Sequence, residues 1–335
     1  MRPISRSRAT FLSSWDNART AGIHNLAIVK LMMGNWLSKV VPVVSTLVLL
    51  PVLAASALSC GEKIEAGEKI GVVVTVLPQA EFVVNVGGER VDVSIMVSPG
   101  ASPHTYEPTP SQLAALSIAK IYAKAGSRVD FELVWMDKLV AANEKMLVVD
   151  CSNGIQLIEM SGKHTREDEE YEHGAMDPHI WLSPLNAKIM VQNIYEGLVQ
   201  VDPDNRTYYE QNRDAYLQKL TKLDHDIRDG MSGVTNRSFM VYHPAFGYFA
   251  RDYNLNMLPI EEEGKEPTAA GIARLIEQAK GHKINVIFVS PQFNPESAKV
   301  IAREIGGKVV FVDPLAGDYI MNLYKVLGEL VQMME

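Results

Sequence analysis

The chain has 335 residues, 47% of them apolar, a formal net charge of −8 and two cysteines. That length accommodates two domains of ~100–200 residues each, and the apolar fraction suits an ordinary globular core. The acidic balance excludes a general nucleic-acid role, which needs a basic face, and two cysteines exclude both a disulfide scaffold and a cysteine-rich zinc finger.

Residues 1–39 carry Arg2, Arg6, Arg8, Arg19, Lys30 and Lys39 against one acid, Asp16. An uncharged apolar run over 40–58 follows and ends in Ala57-Leu58-Ser59-Cys60-Gly61. A basic region, an apolar run and a small-residue exit form the pattern of a secretory signal. The small residues before Cys60 resemble a lipoprotein cleavage box, although that box more often has Leu where this chain has Ala57. On this reading Cys60 is the lipid-bearing first residue of the mature protein. The alternative is an uncleaved anchor, since the run approaches the ~20 residues a membrane helix needs, with Pro42 and Pro51 counting against a regular helix. Either way the body faces outside and is tethered to the membrane at its N-terminus. Met32 or Met33 as the start would leave a signal of conventional length. Residues 1–60 are therefore set apart from the fold.

In the body, residues 69–76 read as a short buried strand and 91–97 as a second, more alternating one. A helix over 111–119 has Thr109 as its cap and Pro110 at its first position. Strands at 120–123 and 146–150 flank a helix near 131–141, and Cys151 reads as a small residue at a strand end. Residues 204–229 form one long polar helix with Tyr208, Tyr216, Leu220, Leu223 and Ile227 on its apolar stripe, ~40 Å long at the helical rise. Strands at 238–242, 284–290 and 309–312 then alternate with helices at 268–280 and 295–305, and an amphipathic helix closes the chain at 319–334. Strands alternating with helices indicate parallel α/β architecture. Glu107-Pro108-Thr109-Pro110 is echoed by Glu266-Pro267-Thr268-Ala269, each before a helix and then a strand, which agrees with two similar lobes. The expected boundaries are a targeting segment 1–60, a first lobe 61–202, a stiff linking helix 203–233 and a second lobe 234–335.

Four side chains, each beside a proline, make a candidate metal cage: His104, His179, His243 and Asp313. Three imidazoles and a carboxylate match the tetrahedral preference of Zn²⁺, and the carboxylate also suits Mn²⁺. His243 and Asp313 each follow an apolar strand, where ligand sites of α/β sheets lie. His24 falls in the targeting segment, while His225 and His282 read as structural or solvated. Glu107 and Glu266 read as helix-entry or charge contacts. Asp177 is placed to orient His179, as a carboxylate behind a metal-binding histidine does. Glu261-Glu262-Glu263 reads most simply as a solvated acidic turn.

The stretches Pro103-His104-Thr105-Tyr106-Glu107-Pro108-Thr109-Pro110, Asp177-Pro178-His179-Ile180-Trp181, Tyr242-His243-Pro244-Ala245-Phe246, Ser290-Pro291-Gln292-Phe293 and Val312-Asp313-Pro314-Leu315 resemble the metal-receptor solute-binding proteins of ABC importers for zinc and manganese. The resemblance runs from about residue 69 to the C-terminus. It implies two α/β lobes, a backbone helix and a metal between the lobes, held by His104 and His179 from the first and His243 and Asp313 from the second. In that family the third ligand is typically Glu in manganese members and His in zinc members, so His243 points to the zinc branch, as does the softness of imidazole. Zinc members often carry a His- and acid-rich loop before the second ligand. The stretch His164-Thr165-Arg166-Glu167-Asp168-Glu169-Glu170-Tyr171-Glu172-His173 stands there, and it also reads as a plain solvated loop.

The function implied is an extracytoplasmic, monomeric Zn²⁺ receptor that delivers its ion to an ABC permease and is not an enzyme. The alternatives are a manganese or iron receptor of the same fold, a zinc hydrolase using three histidines and bound water with Asp313 as base, and a surface adhesin. A fourth protein ligand separates receptor from hydrolase, because a catalytic zinc keeps an open position.

Overall fold

The computed structural model describes residues 69–160, 176–261 and 264–334. The first lobe runs β1 (Ile70–Val74), α1 (Leu77–Gly87), β2 (Val91–Ile95), α2 (Pro110–Ile118), β3 (Ile121–Lys124), α3 (Asp130–Ala142) and β4 (Leu147–Asp150). Helices α4 (Pro184–Val201) and α5 (Arg206–Met231) follow. The second lobe runs β5 (Ser238–Val241), α6 (Gly247–Asp252), β6 (Asn256–Pro259), α7 (Ala269–Gly281), β7 (Val286–Val289), α8 (Glu296–Ile305), β8 (Lys308–Phe311) and α9 (Tyr319–Met334).

Both sheets are parallel and share one topology, β2-β1-β3-β4 and β6-β5-β7-β8. The repeated Glu-Pro-Thr motif occupies the same place in each, opening the helix that links second strand to third. Thr109 accepts from the amide of Gln112 and Thr268 from that of Gly271, so both motifs satisfy an otherwise orphaned helix-end donor. The expected α/β class and parallel sheets are found. Strand β6 and helices α1, α4 and α6 were not singled out in the sequence.

Strand β7 shows why the second sheet reads as a continuous apolar run. Val286 and Phe288 face the core shared with the first lobe, while Ile287 and Val289 face a second cluster with Leu275, Ala298 and Ile301 under α7 and α8. Both faces are covered, as in parallel sheets generally.

Helix α5 buries Tyr209, Tyr216, Leu220, Leu223, Ile227 and Met231. Tyr209 takes the place expected of Tyr208, because it stands seven residues before Tyr216 on the same face, whereas Tyr208 lies eight before and is only partly covered. At 26 residues α5 is ~39 Å long. Asn212 Nδ2 donates to the Val86 carbonyl of the first lobe (3.1 Å), and the Tyr253 hydroxyl of the second lobe donates to Asp224 (3.0 Å). Glu81 on α1 closes the junction: its Oε1 accepts from the Tyr216 hydroxyl (2.7 Å) and its Oε2 from the Tyr319 amide at the start of α9 (2.6 Å). One carboxylate thus ties the first lobe, the linking helix and the last helix together.

Glu81→Ala removes the shared acceptor and leaves the Tyr216 hydroxyl and the Tyr319 amide unpaired in a mostly buried junction. A hydrogen bond to a charged group contributes about 1.5–3 kcal/mol, so a loss of roughly 2–4 kcal/mol is expected in chemical denaturation, with Glu81→Gln recovering part of it.

Candidate metal centre

Three of the four expected ligands meet between the sheets. His104, His179 and His243 each offer one donor atom, and these atoms lie within 4.8 Å of one another. The Nε2 atoms of His179 and His243 are 3.2 Å apart. A tetrahedral ion with Zn–N bonds of ~2.0–2.1 Å sets its nitrogens about 3.3 Å apart, so this pair already has the required spacing. Pro103, Phe293, Pro314 and Leu315 wall a small cavity around the rings.

Each histidine is placed by a different local device. His104 lies in the loop between β2 and α2, where the Tyr106 hydroxyl meets Ser98 (2.6 Å) and Gln112 (3.1 Å), and Gln112 Nε2 reaches back to the Met96 carbonyl (2.7 Å). His179 caps a single 3₁₀ turn, Ile180–Leu182. The Trp181 indole in that turn donates to the Pro314 carbonyl of the second lobe (2.9 Å). His243 leaves the end of β5, and Phe293 stacks on its ring at 5.1 Å and 21°.

All three imidazoles share one feature: Nδ1 is held by a carboxylate. His104 Nδ1 meets Asp130 (2.6 Å), His179 Nδ1 meets Asp177 (2.8 Å) and His243 Nδ1 meets Glu261 (2.7 Å). In a neutral ring, Nδ1–H donated to a carboxylate leaves the Nε2 lone pair free for a metal and fixes the ring's orientation. Burial pushes the His179 pKa below its usual 6.5, against the opposing pull of Asp177 and with a further lowering from His243 and His104. Burial therefore favours the neutral ring, the form in which an imidazole can coordinate a metal.

The Asp177 role expected from sequence is present. Glu261 corrects the sequence reading: it is not a solvated turn residue but is buried, with its carboxylate against His243. Asp130 carried no sequence signal, because it lies 26 residues from His104 and only the fold brings them together. Its position depends on Glu132, a buried carboxyl that accepts from the amides of Ala125 (2.6 Å) and Gly126 (2.8 Å) and pins the first turn of α3 to the end of β3. Burial raises the Glu132 pKa against those hydrogen bonds.

Asp313, the fourth expected ligand, stands outside the three-histidine cluster. Its Oδ1 accepts from Gln292 Nε2 (3.0 Å) and from the Leu315 amide (2.9 Å). His225 is exposed on α5 and pairs with Asp229 (3.3 Å), and His282 is an exposed helix cap. His24, Cys60 and the His164–His173 stretch lie outside the described residues.

Two parallel-sheet lobes around a cluster of three histidines, two of them buried, define a two-lobed solute-binding protein. Residues 72–333 match the family model "Zinc-uptake complex component A periplasmic", and the chain belongs to that family. It is 33% identical over 292 residues to the high-affinity zinc uptake system protein ZnuA of Bacillus subtilis strain 168, covering 82% of this chain and 88% of that protein. It is 31% identical to the zinc-binding lipoprotein AdcA of Streptococcus pneumoniae R6, where the match spans 81% of this chain and 55% of the longer AdcA. A crystal structure of ZnuA superposes with a TM-score of 0.75 at 41% identity, covering 80% of this chain and 100% of that one, and a zinc-bound ZnuA deletion mutant gives 0.73 at 40%, with 80% and 99% covered.

Gly247 tests whether ring orientation matters. A Cβ there would lie 2.2 Å from Asp177 Oδ2, the carboxylate that holds His179. Gly247→Ala should displace Asp177 and weaken metal binding by about 10- to 100-fold, the range seen when a ligand's hydrogen-bond partner is disturbed. Competition against a chromogenic chelator measures it.

Proposed function

We propose that this chain is a Zn²⁺ receptor that binds the ion between its lobes through His104, His179 and His243, with Asp313 completing the shell, and passes it to an ABC permease in the membrane. The observation that carries this reading is the convergence of three imidazoles, each with Nδ1 occupied by a carboxylate. Nitrogen-rich donors suit Zn²⁺ over Mn²⁺, and the relatives named for zinc uptake and zinc binding support the choice. The donor set fits a cargo ion: three neutral nitrogens and one carboxylate from rigid strand and turn ends. With Asp313 as fourth ligand no position is left for a reacting water, so the site holds metal rather than using it for hydrolysis. The body works as a monomer on the outer face of the membrane, tethered through Cys60. The name of the AdcA lipoprotein favours a lipid at Cys60 over an uncleaved anchor.

Titration of Zn²⁺ and Mn²⁺ into chelator-stripped protein from residue 61 onward tests the reading. One tight Zn²⁺ per chain, preferred over Mn²⁺ and abolished by His243→Ala, is expected. Equal or better Mn²⁺ binding moves the chain to manganese transport, and no tight site removes the receptor reading.

Binding should also weaken with acid. Only neutral imidazole coordinates, and ordinary imidazole protonates near pH 6.5, about where competition begins. Because burial lowers the His179 pKa, proton competition at that ring sets in only below 6.5. Zinc affinity at constant ionic strength should therefore change little from about pH 8 to 7 and fall progressively below about 6.

A further inference from the structure

The loop Ser290-Pro291-Gln292-Phe293 follows β7 and lines the cavity of the three histidines. Phe293 is accounted for by its stack on His243. Gln292 is not accounted for by folding. Its Nε2 donates to Asp313 Oδ1, while its Oε1 is buried and meets no donor among the described residues. The amide cannot be turned the other way, since an ionised carboxylate only accepts and the nitrogen must face it. Leaving a buried acceptor unpaired costs about 1–3 kcal/mol, so a side chain held this way calls for a reason other than stability.

The reason lies in what the tether does to Asp313. With Gln292 and the Leu315 amide both on Oδ1, that oxygen is fully engaged, and Oδ2 has no donor among the described residues. The Asp313 backbone is also fixed, its carbonyl accepting from Asn322 Nδ2 at 2.8 Å. Asp313 thus has a single oxygen to offer.

We propose that Gln292 is a positioning residue that sets the metal preference of the site by limiting Asp313 to one-oxygen ligation. The inference rests on the reading that the three histidines and Asp313 hold the ion. Three nitrogens and one oxygen make the four-coordinate shell Zn²⁺ prefers. Without Gln292, Oδ1 keeps only the Leu315 amide, and the carboxylate is free to chelate through both oxygens. The resulting five-coordinate, more oxygen-rich shell suits Mn²⁺ better, because carboxylate donors and higher coordination numbers favour that ion. Discrimination then depends on a glutamine that never touches the metal.

The test uses Gln292→Met, which keeps length and shape without a donor, and Gln292→Glu, which cannot donate once ionised. Each is loaded with Co²⁺ in place of Zn²⁺, and its visible d–d spectrum reports coordination number. Asp313→Ala is measured alongside, with thermal melts of the metal-free proteins. We expect both Gln292 variants to melt like the wild type, to lose d–d band intensity as four-coordinate cobalt becomes five-coordinate, and to shift the Mn²⁺-to-Zn²⁺ affinity ratio toward Mn²⁺ by about tenfold, the lower end of the range for removing a ligand's hydrogen-bond partner. Wild-type spectra and an unchanged ratio in both variants, with an altered Asp313→Ala spectrum, would overturn the role of Gln292 and leave the receptor site standing. If Asp313→Ala is spectrally silent as well, Asp313 is no ligand, and the four-residue shell falls with the proposal.

Discussion

The site depends on the distance between two sheets. His179 and His243 come from opposite lobes, yet their Nε2 atoms stand 3.2 Å apart, a spacing that a small relative movement of the lobes would destroy. What holds it is a single apolar core running through the first lobe, α4, α5 and one face of the second sheet. The Glu81 junction adds a directional restraint where three helices meet. Non-directional burial keeps the lobes together, and one bifunctional carboxylate fixes how they are turned. The Trp181 indole crossing to the Pro314 carbonyl repeats the arrangement beside the cavity.

Electrostatics at the site follows one rule applied three times. A bare trio of imidazoles would be free to rotate and to exchange tautomers. A carboxylate behind each ring fixes its tautomer and aims Nε2 inward. The three pairs are not equivalent in exposure: both partners of His179–Asp177 and of His243–Glu261 are buried, whereas Asp130 of the His104 pair is 53% exposed. The two buried pairs, one from each lobe, meet through the His179–His243 contact, and the third pair closes the set from the solvent side. Negative charge around the cluster also complements a divalent cation, and Pro103, Phe293, Pro314 and Leu315 give the cavity apolar walls.

Local signals in the chain anticipate much of this. Strands such as 238–242 and 284–290 show as short β-branched or aromatic runs, and Thr109-Pro110 and Thr268 mark helix starts through cap chemistry that acts over three residues. The three clustered histidines are legible because each sits in a distinctive proline-flanked stretch. Asp177 is legible because it lies two residues from its histidine. The features that are not legible are those made by distance. Asp130 reaches His104 across 26 residues, and Glu261 reaches His243 across 18. Glu261 also stands in an acidic run whose composition suggests solvent, although its backbone continues from β6 through the fully buried Ile260. Strand β6 itself, Asn256-Met257-Leu258-Pro259, lacks β-branched residues and ends in proline, and its pairing with β5 makes it a strand. The stripe on α5 shows a smaller error of the same kind, since two adjacent tyrosines, Tyr208 and Tyr209, differ only in which one the neighbouring helices cover.

The placement of Trp181 gives the molecule an internal optical reporter. The chain has four tryptophans, Trp15, Trp36, Trp135 and Trp181, and removal of residues 1–60 leaves two. Trp135 lies on α3 with the Lys138 ammonium 4.4 Å from its ring centroid. Trp181 is fully buried, its ring 5.4 Å from that of His179 and its indole N–H committed to the other lobe. Any event that changes the charge on His179 or the closure of the lobes must alter the surroundings of that one chromophore. Its emission is therefore expected to change when an ion arrives at or leaves the cluster, without an added label.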